Sequence, residues 1–77
     1  MGLMTASEQI AHYLAAHELG PTAAARAWGC TRGHVYHLLR GRHLPSRRLA
    51  ARIEAVTRGD LRAAELLFGR SGADAHA

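Results

Sequence analysis

Apolar side chains recur along the chain at helical spacing, in short runs separated by glycine, proline or a capping hydroxyl. Ile10, Ala11 and Leu14 share one face of a helix opened by Thr5, where Glu8 three residues on completes a capping box. Gly20 and Pro21 stop that helix, and Leu3 is expected to staple back onto its first turn. A second, alanine-rich helix runs from Thr22 to Trp28, with Pro21 suited to the first turn because its missing N–H would have had no partner there. Thr31 caps a third helix, with Val35, Leu38 and Leu39 on one side and Gly41 closing it. After Pro45, Ser46 caps a fourth; Leu49, Ile53 and Val56 form its apolar stripe and it ends by Gly59. Asp60 is expected to cap a fifth that carries Leu61, Ala64, Leu67 and Phe68 and ends at Gly69. No run alternates apolar and polar residues, and no hairpin dipeptide occurs. The predicted fold class is therefore all-α, a five-helix domain over residues 1–69 with residues 70–77 as a flexible C-terminal tail.

Gly29 interrupts the stretch TAAARAWGCTRGHVYHLLRG between two helix-forming segments, and its purpose lies in the corner that it makes. Gly29, Cys30 and Thr31 leave only three residues to swing the chain by roughly 90–120° between the second and third helices, which calls for a positive φ just past the end of the second. Two helices packed at such an angle need a small residue four positions before the glycine, where Ala25 stands. They need a β-branched apolar residue six positions after it, where Val35 stands, and Leu38 continues that face. Cys30 is expected to plug the corner as a small, buried, unreactive hydrophobe. Trp28, just before the turn, reads as core rather than as a base-stacking platform.

The chain has 77 residues, enough for one small domain and too few for a cleft between lobes; at this size the pairing of two subunits is a natural source of stability. Ten basic residues face six acidic ones, and all ten are arginine. Their placement says more than their number. Between Glu18 and Glu54 there is no acidic residue, while Arg26, Arg32, Arg40, Arg42, Arg47, Arg48 and Arg52 all fall in that interval. Such uncompensated charge is the footprint of a polyanionic partner. Cys30 is the one cysteine, which excludes an intrachain disulfide framework. No secretory signal and no membrane-spanning apolar run is visible, so the expected location is the cytoplasm.

These residues carry a resemblance. AARAWGCTRGHVYHLL resembles the helix-turn-helix of the phage Cro and lambda-type repressor family, and from about Ile10 to Leu67 the order of elements is most similar to short YdaS-like Cro proteins. The chain departs from that pattern at Trp28 and Ala24, and at Pro21, where many members place a glutamine that grips phosphate. The resemblance implies a compact lambda-repressor-like DNA-binding domain whose third helix enters the major groove of double-stranded operator DNA. It further implies that Arg32, Gly33, Tyr36 and His37 face base edges, since Val35, Leu38 and Leu39 are spent on the core. Arg32 suits guanine, whose O6 and N7 a guanidinium bonds together. Thr22, Thr31, Arg40, Arg42, His43, Ser46 and Arg47 are the candidate phosphate contacts, which position without specifying sequence. Arg48 and Arg52 stand between solvent and DNA as even alternatives.

The expected function is that of a transcriptional regulator, a Cro-like repressor acting as a homodimer. In the fifth helix Leu66 points about 100° away from Leu67, so Leu66, helped by Phe68, is the candidate two-fold contact. An antitoxin or protein-binding adaptor with secondary DNA binding is the alternative, and an arginine-rich, non-specific nucleic-acid binder a third. No paired carboxylates, phosphate-cradling loop or triad can be assembled, so an enzyme, a small-molecule substrate, a cofactor and a membrane partner are not expected. His34 and His37 have a chelating i, i+3 spacing, but no carboxylate or second thiolate stands nearby, and no metal is expected.

Overall fold

Each helix starts where a side chain or a proline relieves the unpaired amides of its first turn. In the computed structural model, which describes residues 3–71, the order is β1 (Leu3–Met4), α1 (Ala6–Ala16), α2 (Pro21–Trp28), α3 (Arg32–Leu39), α4 (Arg47–Val56), α5 (Ala63–Phe68) and β2 (Arg70–Ser71). At α1 the Glu8 amide donates to Thr5 Oγ1 at 3.2 Å while the Thr5 amide donates to Glu8 Oε1 at 2.9 Å, the reciprocal box expected from the sequence. Thr31 and Ser46 cap α3 and α4 in the same way, accepting from the amides of His34 at 3.0 Å and Leu49 at 3.1 Å. Pro21 takes the first position of α2.

Every helix contributes to one core. Ile10 from α1, Trp28 from α2, Val35 and Leu38 from α3, Ile53 from α4 and Leu66 from α5 are all essentially sealed from solvent. The Cα radius of gyration, 11.6 Å, matches the roughly 11.5 Å expected of a compact chain of this length. Two buried polar side chains tie the core to the backbone around it. Gln9 Nε2 donates to the carbonyls of Met4 at 3.0 Å and Glu65 at 2.8 Å, joining both ends of the domain to α1. Thr57 Oγ1 donates to Ile53 O at 2.8 Å and accepts from the Leu61 amide at 3.1 Å.

That threonine corrects the expected stripe of α4. Val56 is 44% exposed, and the inward position belongs to Thr57, four residues after Ile53. Its hydroxyl tolerates burial because a helix carbonyl and the Leu61 amide satisfy it.

The fifth helix also differs from expectation. Asp60 does not cap it; the helix begins at Ala63, after Arg62, and Glu54 of α4 reaches across so that its Oε1 accepts from the Ala63 amide at 2.8 Å. With that later start, Leu61 is buried ahead of the helix and Leu66 faces inward at 1% exposure, with Leu67 half-buried. Leu66 is therefore not available as a dimer contact: it is already spent inside its own domain. Phe68, its expected helper, is 74% exposed.

The chain ends differ as well. Leu3 does not staple onto α1 but pairs antiparallel with Ser71, as Met4 does with Arg70, and stays 61% exposed. Residues 70 and 71 of the expected flexible tail thus belong to a short ribbon; residues 72–77 lie outside the described residues.

Candidate nucleic-acid interface

Gly29 has φ +73° and ψ 33°, the left-handed conformation that ends α2, and the amides of Gly29 and Cys30 both return to Ala25 O. Ala25, Val35 and Leu38 are all buried, so the small, β-branched and apolar residues expected around the corner meet inside it. Cys30 is half-buried rather than sealed as expected, because the corner turns one side of the residue outward; burial still raises its thiol pKa, which disfavours the reactive thiolate. Ser7 on α1 donates to Leu39 O at 2.7 Å and so fixes the far end of α3 against the body of the domain.

With Val35 and Leu38 turned inward, α3 presents Arg32, Gly33, Tyr36 and Arg40 to solvent. Arg40 Cζ lies 5.7 Å from the centroid of the Tyr36 ring, a cation–π contact one turn long. His37 is less accessible. It is half-buried, and its Nδ1 is sealed from solvent without a hydrogen-bond partner. The His43 ring stands edge-on to it at 5.0 Å between centroids, and His34 lies 6.1 Å from His43. Thus His37, expected among the outward readers, shares an edge-to-face ring contact with His43, and its Nδ1 is not the atom that it offers to a partner in this arrangement.

The connection from α3 to α4 is open. Arg42, His43, Ser46, Arg47 and Arg48 are exposed, as are Thr22 near the start of α2 and Thr31. Thr31 and Ser46 use a lone pair each in capping, which leaves the hydroxyl proton of each free to donate outward. Arg52 has a role that sequence reasoning missed. Its guanidinium lies across the corner, with Nη1 2.9 Å from where a Cβ on Gly29 would sit. Only the α2·α4 packing reveals this, since no spacing rule joins residues 29 and 52 across two loops.

None of Arg26, Arg32, Arg40, Arg42, Arg47, Arg48 and Arg52 has a carboxylate partner among the described residues. His17 Nε2 lies 3.9 Å from Asp60 Oδ2, between the end of α1 and the α4–α5 loop. Among the described residues no group of three histidine, cysteine or acidic side chains is placed to hold a metal ion, and no helix is long and apolar enough to cross a membrane. A shallow, open depression lined by Ala51, Glu54, Ala55, Arg58 and Gly59 brings together one carboxylate and one guanidinium, with no nucleophile between them. No known protein family, curated protein or solved structure matches the chain significantly.

Proposed function

We propose that the chain is a sequence-specific regulator that binds double-stranded DNA with α3 in the major groove, using α2, the Gly29 corner and α3 as a helix-turn-helix of the Cro and lambda-repressor kind. The observation that carries this reading is the run of exposed arginines on α3 and in the segments on either side of it, none with a carboxylate partner among the described residues, next to an inner face of α3 that is locked in the core. A helix of this width fits the major groove of B-DNA, and a surface of unpaired guanidinium groups gains by displacing the counterions of phosphates. Arg32 and Tyr36 then meet base edges, with His37 contributing from its half-buried position. Arg40, Arg42, His43 and Arg47, with the hydroxyls of Thr22, Thr31 and Ser46, hold the flanking phosphates.

The simplest mode of action is repression by occupancy of an operator as a homodimer in the cytoplasm. Phe68, exposed at the end of α5, takes over the dimer contact that Leu66 cannot make. The same exposed phenylalanine favours the second reading, an adaptor or antitoxin that covers a foreign protein.

A pair of substitutions tests the DNA reading after binding sites have been selected from a random duplex library. Arg32→Ala should lose about 1–3 kcal/mol on the selected site and relax the preference at one base pair, because a bidentate base contact disappears. Arg42→Ala should weaken selected and random duplexes by similar factors, because phosphates carry no sequence information. An Arg32→Ala protein that selects the parental consensus would remove the assignment of α3 to the groove.

A further inference from the structure

Gly33 is the one glycine inside a helix among the described residues, and nothing within the domain accounts for it. It is not among the glycines with positive φ, so its backbone suits any residue. A Cβ built on it meets no atom within 4 Å, so no neighbour requires its absence. Alanine would fit there and would be the better helix former. Gly29 differs on both counts: it has a left-handed backbone and the Arg52 side chain lies against it. A glycine that neither backbone nor packing demands, on the outer face of a helix, accommodates something outside the domain.

We propose that Gly33 is a notch in α3 that receives the C5-methyl group of a thymine in the major groove. This rests on the DNA reading above and adds to it the base edge that the helix accepts. The missing side chain leaves a space the size of one methyl group, and the C5-methyl of thymine is the apolar group that the major groove presents. Tyr36 lies one turn further along the same helix at 41% exposure and stays clear of the space over Gly33. Arg32, adjacent in sequence, reaches for the guanine edge of a neighbouring base pair. The notch therefore reads thymine by shape where its neighbour reads guanine by hydrogen bonds.

The experiment compares the parent with Gly33→Ala on a selected duplex and on a series in which each thymine in turn is replaced by deoxyuridine, which lacks only the methyl group. At one base pair of the contacted half-site, deoxyuridine should weaken the parent about fourfold, the worth of one buried methyl-sized group. Gly33→Ala should lose at least that factor on the thymine duplex and be indifferent to deoxyuridine at that position. Its thermal midpoint should be no lower than the parent's, which separates lost fit from lost fold. Unchanged affinity of Gly33→Ala would overturn the notch. An equal loss on every deoxyuridine duplex and on random duplex would overturn it too, showing that the sugar-phosphate backbone rather than a methyl group approaches there. In both cases a parent that still binds duplex leaves the DNA reading standing; a parent that binds no duplex removes both.

Discussion

Replacing Gly29 with alanine, asparagine or valine should destabilise the domain in an order set by the backbone alone. At φ +73° and ψ 33° an L-residue with a Cβ incurs roughly 1–2 kcal/mol relative to the right-handed region. The stiffer unfolded chain of the alanine variant returns up to about 1 kcal/mol, which leaves a net loss on the order of 1 kcal/mol. The 2.9 Å approach of Arg52 Nη1 adds little, because it is the end of a flexible, exposed side chain that can swing aside. Asparagine, which visits the left-handed region routinely, should lose less than alanine, and valine, branched at Cβ, should lose most. In urea titrations the midpoints should fall in the order glycine, asparagine, alanine, valine with unchanged slopes; for alanine the thermal midpoint should drop by about 4–8 °C. The Arg52→Ala background distinguishes strain from crowding: the alanine penalty at position 29 should persist there. A neutral Gly29→Ala, or a penalty that vanishes with Arg52→Ala, would refute the argument that the corner depends on a left-handed backbone.

Thr57→Val keeps the shape but leaves the buried Leu61 amide without its acceptor, so it should cost about 1–3 kcal/mol, and Thr57→Ser should recover most of that; equal stability of valine and threonine in urea unfolding would contradict the hydrogen-bonding role. Phe68→Glu alters a side chain that is 74% exposed, so helicity by circular dichroism should be unchanged; if Phe68 makes the proposed two-fold contact, the parent sediments as a dimer and the variant as a monomer, and a variant that still dimerises places the interface elsewhere.

What the sequence discloses here is what short-range chemistry determines. Thr5, Thr31 and Ser46 cap their helices because each cap needs only the amide three residues ahead. The Gly29 corner was legible for the same reason, together with the exposure of Arg32, Gly33 and Tyr36 that follows once Val35 and Leu38 are assigned inward. Long-range partners were not legible. The start of α5 depends on Glu54 from α4, nine residues away, and once that start moves past Asp60 the inward residue becomes Leu66. Thr57 outcompetes Val56 for the interior because of a bond to Leu61 that no periodicity encodes. The β1–β2 pairing joins opposite ends of the domain through two residues on each side, too few for an alternating pattern. At the candidate site, the edge-to-face contact of His43 with His37 and the reach of Arg52 over Gly29 both arise from loop and helix packing rather than from local spacing.

The most direct test of a DNA-binding surface on α3 and the following loop is the salt dependence of duplex affinity. If Arg40, Arg42 and Arg47 each neutralise a phosphate, at about 0.9 counterions released per contact, the log–log slope of affinity against salt should be on the order of −3 per subunit or steeper. Fluorescence anisotropy on a labelled duplex across a series of salt concentrations reads that slope, and single-stranded DNA of the same sequence should bind more weakly throughout. A slope near zero, or single strands bound as tightly as duplex, would contradict the account.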